Sequence, residues 1–215
     1  MNKLISILVR NWWWWTVKGI PAKYRLTYNL NQVTSFLRQF FLKEKYINYL
    51  GAYFEYDHPF TPFILQIYTH EILVKVLSNA NQKIGSVLDI GGNIGQFSTT
   101  MAALNEGVII DVFEPNPEVY KLLKSNAKYR KGMNVFNYGI GDSSLKNMYV
   151  RENRTGTGSL IEENADKGNK DNLKKISIDL IEDISLKTGK TVYDLVKIDV
   201  EGYEYELLDY LTNIQ

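Results

Sequence analysis

The stretch Asp89-Ile90-Gly91-Gly92-Asn93-Ile94-Gly95 sets a carboxylate two residues ahead of glycines at 91 and 95, directly after the apolar run Val87-Leu88. A strand that breaks into such a turn and opens a helix can offer backbone N–H groups to the carboxylate of a ligand. Gly91 and Gly95 would let the backbone come close, with no Cβ in the way, and Asp89 could pair with a ligand ammonium. Two familiar ligands are excluded by spacing. A G-x-G-x-x-G dinucleotide turn counted from Gly91 meets Asn93 and Gln96 where glycines belong, and counted from Gly92 it meets Ile94. The G-x-x-x-x-G-K-[ST] phosphate loop is absent as well. The plain alternative is a tight strand-to-helix turn that holds no ligand.

Further polar residues end the later apolar runs. Glu114 closes "DVFEP", 23 residues after Gly91, where an acid can accept both ribose hydroxyls of an adenosine. Asp142 in "GIGDSS" could accept an adenine amino group; equally, it could close an ordinary turn. In "KIDVEGYEYELL", Lys197, Asp199 and Glu201 alternate, so a strand continuing that far would point all three to one face. Such a trio could orient an acceptor, remove its proton or bind a metal, or Lys197 could simply pair with a carboxylate in a structural network.

These residues need a scaffold that brings strand ends together. "SVLDI", "GVIIDVFE", "NVFNYGI" and "YDLVKIDV" read as strands, and "IGQFSTTMAAL" and "PEVYKLLKSNAKY" between the first three read as helices. That alternation predicts a parallel α/β sheet covered on both faces, with its ligand at the carboxyl edge. Residues 152–175 are polar and glycine-containing and read as a long loop or flap. The strand "KKISID" and a short helix follow.

Upstream, "TSFLRQFFLKEKYINYLG" repeats apolar residues at helical spacing and stops at Gly51, and a second helix is expected from Thr61-Pro62 to about Asn79. Residues 1–60 thus read as a basic, aromatic, helical extension and residues 61–215 as the α/β domain. Residues 1–50 hold eight Lys/Arg against the single acid Glu44, while the remainder carries seventeen basic and twenty-three acidic residues. The run Trp12-Trp13-Trp14-Trp15 beside basic residues fits peripheral membrane contact through residues 1–50; a buried helical cap is the competing reading. Nucleic acid ranks last as a partner, because no RNA-binding signature accompanies the basic aromatic segment.

The chain has no cysteine, which removes disulfides, zinc–thiolate sites and thiol nucleophiles. His58 and His70 lack metal-ligand spacing, so no metal-ligand residues are assigned. The apolar run before Arg10 is too short for a signal peptide, and Arg10 and Lys18 interrupt any membrane span. The expected location is the cytoplasm, with peripheral contact at a membrane.

Residues 84–211 resemble the FkbM family of S-adenosylmethionine-dependent methyltransferases, through "VLDIGGNIGQFSTTMA", "VFEPNPEVYKLLKSN", "NYGIGDSS" and above all "LVKIDVEGYEYELL". The resemblance implies O-methylation of a hydroxyl, commonly on a sugar of a surface polysaccharide or on a secondary metabolite. It implies S-adenosylmethionine held by Asp89, Gly91, Asn93, Gly95, Glu114 and Asp142, with Asp199, Glu201 and Glu204 near the reacting hydroxyl. It also implies about three further strands after the fourth, so the expected fold is a Rossmann-like methyltransferase sheet truncated at the C-terminus, with a helical N-terminal extension. That expectation leaves a second reading, an inactive cofactor-binding remnant acting as an interaction or membrane-associated protein.

Overall fold

The computed structural model describes residues 45–50, 52–56, 73, 79–80, 83–151, 154–161 and 173–213. The chain comprises two compact units, Met1–Asn79 and Ala80–Gln215. The tryptophan run and nearly all of the helix expected from Thr61 lie outside the described residues.

In the first unit, β1 (Tyr46–Tyr49) and β2 (Ala52–Glu55) form an antiparallel hairpin. Strand β1 corrects the helix expected to run on to Gly51. Burial alternates along β2, and Ile47 and Phe54 are direct cross-strand partners, both buried. The Tyr46 and Tyr53 rings stack at 5.0 Å, and Leu50 turns the chain with φ 47°. Helical spacing over residues 36–50 had masked a two-residue period that begins only at the hairpin.

The second unit runs β3 (Ser86–Ile90), α1 (Gln96–Leu104), β4 (Ile109–Phe113), α2 (Pro117–Ala127), β5 (Met133–Phe136) and β6 (Gly139–Ile140). It continues with β7 (Asn147–Arg151), β8 (Arg154–Ser159), β9 (Leu173–Ser177), β10 (Leu180–Ile181), α3 (Ser185–Thr188), β11 (Leu195–Ile198) and α4 (Glu204–Asn213). Four of these strands make a parallel sheet in the order β11-β3-β4-β5. The architecture is therefore mixed α/β around a parallel sheet, with Val87, Ile90, Ile110, Val112 and Phe113 almost wholly buried in it. Near-continuous apolar strands are what a sheet covered on both faces requires.

Local chemistry explains the helices. Asn116 caps α2, its side chain accepting from the Glu118 N–H at 3.0 Å, and Pro117 follows at the first turn, where a missing N–H costs nothing. α1 buries Ser98, Thr99, Thr100 and Met101, and the Asn126 amide on α2 donates to the Ile94 carbonyl at 2.8 Å, tying α2 to the turn that precedes α1.

Two expectations change. The run "NVFNYGI" is not one strand: β5 stops at Phe136, and Gly139–Ile140 pairs instead with β10. Asn137 makes the break, its side-chain amide donating to the Glu114 and Pro115 carbonyls at 2.9 and 3.1 Å. The expected loop of residues 152–175 contributes β8 and the start of β9, which flank β7 in a three-stranded antiparallel sheet, β8-β7-β9. Glycines at 156 and 158 disguise its alternation. A Cβ on Gly158 would stand 2.5 Å from Met148 Cε and 2.9 Å from Val150 Cγ1, so those side chains would have to shift.

Candidate active site

The turn after β3 owes its shape to backbone requirements. Gly91, Asn93 and Gly95 have φ of 78°, 51° and 93°. This left-handed region suits glycine and is tolerated by asparagine better than by most residues. That is the physical content of an asparagine between the two glycines. The glycines at 91 and 95 nevertheless answer to the protein as much as to any ligand. A Cβ on Gly91 would meet the Asp199 carbonyl oxygen at 1.9 Å, and one on Gly95 would meet Leu123 Cδ1 at 3.0 Å.

The N–H groups of the turn itself are spent internally. Gly91 and Gly92 donate to the Phe113 carbonyl at 3.0 and 2.9 Å, and Gly95 donates to that of Gly92 at 2.9 Å. Asn93 donates to Glu114 Oε2 at 2.9 Å, and Ile94 to Asn93 Oδ1 at 2.7 Å. No side chain caps α1 at Gly95, so the donors remaining here are those of the first helical turn.

Glu114 follows β4 and is buried, 7% exposed. Its two oxygens accept from the Asn93 and Asn116 N–H groups, each at 2.9 Å. Burial dominates its acidity: desolvation, only partly offset by the Asn116 and Asn93 donors and by the charge of Lys197, pushes its pKa up to about 7.

Beneath the turn Asp89 is fully buried, its Oδ2 accepting from the Ser98 hydroxyl and its Oδ1 lying 3.0 Å from Lys197 Nζ. Lys197 also donates to the Gly91 carbonyl at 2.7 Å and lies 3.5 Å from Asp199 Oδ2. Burial would draw the Lys197 pKa down, but Asp89 and Asp199 outweigh it and hold it above its ordinary value.

A cleft of about 700 Å³, open mouth included, runs along the carboxyl ends of β3 and β4 and the chain after β11. One wall carries Gly91, Asn93, Glu114 and Asn116, and the segment after β11 contributes Asp199, Glu201 and Tyr203. The antiparallel sheet and its neighbours close the cleft with Met148, Leu160 and Leu180.

Of the residues singled out from the sequence, Gly91, Asn93, Glu114, Asp199 and Glu201 come together around this cleft. Asp89 and Gly95 support it without lining it. Asp142 does not join them. It is exposed, its Oδ1 accepts from the Ser144 N–H at 2.8 Å, and that bond holds its carboxyl below the usual range. Glu204 does not line the cleft either; its carboxylate accepts from the Val200 and Gly202 N–H groups at the start of α4. Burial works against its ionisation, but the backbone donors, Gly202 foremost, prevail and lower its pKa. The conditional alignment of Lys197, Asp199 and Glu201 fails because β11 ends at Ile198 and Glu201 turns with φ 50°.

Asn116, Met148, Leu160, Leu180 and Tyr203 were not anticipated as site residues. Asn116 was findable as an N-cap before Pro117. The others carry no local signal, because they reach the cleft from an inserted sheet and from a helix start.

Residues 89–213 match the methyltransferase FkbM domain. The chain belongs to the FkbM methyltransferase family. The matched residues contain the cleft's polar wall, the antiparallel sheet and α4. No curated protein matches the sequence. A crystal structure of a Pyrococcus horikoshii protein described as a transferase aligns at 16% identity and a TM-score of 0.32, covering 51% of this chain. The FkbM chain spans about half of that protein, 48%. Among the described residues no helix is long and apolar enough to cross a membrane, and no three acidic or histidine side chains gather as metal ligands.

Proposed function

We propose that this methyltransferase uses S-adenosylmethionine to methylate a hydroxyl of a sugar, a polysaccharide or a related metabolite. The observation that carries the donor is Glu114, a buried carboxylate facing the cleft beside the turn at 91–95. Each of its oxygens already accepts one backbone N–H and keeps a lone pair for a ribose hydroxyl. A buried acid with spare acceptor capacity at a strand end suits an adenosine. The first-turn N–H groups of α1 suit the donor's carboxylate.

The donor would supply a methyl carbon on a positively charged sulfur, a good leaving group. The work left to the protein is alignment. Holding the acceptor oxygen opposite the leaving sulfur is worth roughly 7–11 kcal/mol in favourable cases. Asp199 and Glu201, on the cleft wall after β11, are the candidates for receiving the acceptor hydroxyl. As the O–C bond forms and the C–S bond breaks, the hydroxyl proton must leave. Asp199 is assigned to orient that hydroxyl or take its proton. Glu204 is assigned no contact with the acceptor. Polar carboxylates facing an apolar wall of Met148, Leu160 and Leu180 suit a polyol with one apolar face.

Calorimetric titration with S-adenosylhomocysteine, with NADH and a Glu114→Ala variant as controls, tests the donor. Binding of the homocysteine product alone, weakened by Glu114→Ala, supports the reading; binding of NADH instead would sink it. Labelled-methyl transfer to sugar acceptors then tests Asp199, whose role fails if Asp199→Asn leaves turnover intact.

A further inference from the structure

Lys197 and Asp89 are direct partners across the β11–β3 pair, with Nζ 3.0 Å from Oδ1. Asp89 is fully buried, and among the described residues no hydrogen-bond donor of good geometry reaches that oxygen, so it is held by charge. The same ammonium donates to the Gly91 carbonyl at 2.7 Å and lies 3.5 Å from Asp199 Oδ2. The ammonium thus makes one hydrogen bond, to a carbonyl, and two ion-pair contacts, to carboxylates. Of these partners, one belongs to β3, one to the glycine turn and one to the segment after β11. Two backbone features reinforce the junction: the Asp199 N–H donates to the Ile90 carbonyl at 3.0 Å, and Gly91 packs against the Asp199 backbone.

We propose that Lys197 is a positioning residue that locks the Gly91–Gly95 turn to the Asp199–Gly202 turn, so that the donor side and the acceptor side of the cleft form as one unit. The lysine touches neither reactant. It acts through the Gly91 carbonyl, which fixes the turn beside Glu114, and through the Asp199 carboxylate, which it orients. Its burial matters, because an ammonium only 20% exposed interacts across a lower dielectric than a surface pair would. The functional half of this assignment rests on the S-adenosylmethionine reading; the mechanical half does not.

The test is amide hydrogen exchange on the ligand-free full chain, comparing wild type with Lys197→Met, Lys197→Arg and the double variant Asp89→Asn/Lys197→Met. Removing the lysine alone leaves a buried carboxylate unpaired and threatens the fold; the double variant removes both charges and keeps the comparison readable. The expected result is exchange faster by about tenfold or more at both turns together in the variants lacking the ammonium, with the centre of the sheet still protected, and recovery in Lys197→Arg. Loosening of one turn alone, of neither, or of the whole sheet evenly would overturn the assignment. In parallel, S-adenosylhomocysteine affinity should fall about tenfold in the double variant and return in Lys197→Arg. If wild type does not bind that ligand, the donor reading fails while the exchange data still decide the role of Lys197.

Discussion

Gly91 lies against the backbone of Asp199, 108 residues later, so closely that a Cβ on it would stand 1.9 Å from the Asp199 carbonyl oxygen. Gly107 shares its positive φ, 80° against 78°, but has nothing within 4 Å of a Cβ. Left-handed strain alone should make Gly107→Ala cost about 1 kcal/mol. Gly91→Ala adds a backbone collision and should cost about 3 kcal/mol or more. Urea unfolding of the two variants separates the contributions; equal losses would mean that the Asp199 contact relaxes freely.

Ser98 donates to Asp89 Oδ2 inside the core. Ser98→Ala leaves that buried carboxylate oxygen short of a donor and should destabilise the chain by about 1–3 kcal/mol. Half-buried Ser143, bound to exposed Glu182, provides the comparison: Ser143→Ala should change stability by no more than about 0.5 kcal/mol. The difference in thermal midpoint between the two variants is the readout.

Glu114 makes stability depend on pH with an uncommon sign. Its folded pKa of about 7 lies above the ordinary 4.5, so between those values the folded state holds a proton that the unfolded state has released. Its contribution is fully present below about pH 4.5 and is lost as pH rises through 7. The loss is about 3 kcal/mol in all. Ribose hydroxyls would donate to the ionised form, so S-adenosylhomocysteine should bind more tightly as pH rises to about 7, releasing a proton, and then level off. Titrations in buffers of different ionisation enthalpy measure that proton; none released would remove Glu114 from the ligand.

Glu204, the first residue of α4, ties back the turn before it by accepting from the Val200 and Gly202 N–H groups. Glu204→Ala should cost about 1 kcal/mol in unfolding, with the stabilising effect present near neutral pH and fading as acid protonates the carboxylate. S-adenosylhomocysteine affinity should hold within about threefold. A loss of binding far beyond the loss of stability would return Glu204 to the site.

Much of the scaffold was readable because its signals are local. The β-branched run Ser86–Ile90, the Asn116-Pro117 helix start and the turn ending in Gly95 each specify their own backbone within a few residues. The failures were local as well. Gly156 and Gly158 made the strand β8 look like a loop, and helical spacing upstream hid the hairpin Tyr46–Glu55.

The sequence by itself determined the parallel β/α alternation, the left-handed turn at 91–95 and the acid at 114, since each follows from short-range backbone preference and apolar period. Tertiary structure alone decided which polar groups meet. It buried Asp89 opposite Lys197 in register across two strands, set Gly91 against Asp199, assigned Glu204 to a helix start and left Asp142 in solvent. Side-chain identity states what a residue can bind. Strand order and register, summed over contacts a hundred residues apart, state what stands within reach of it.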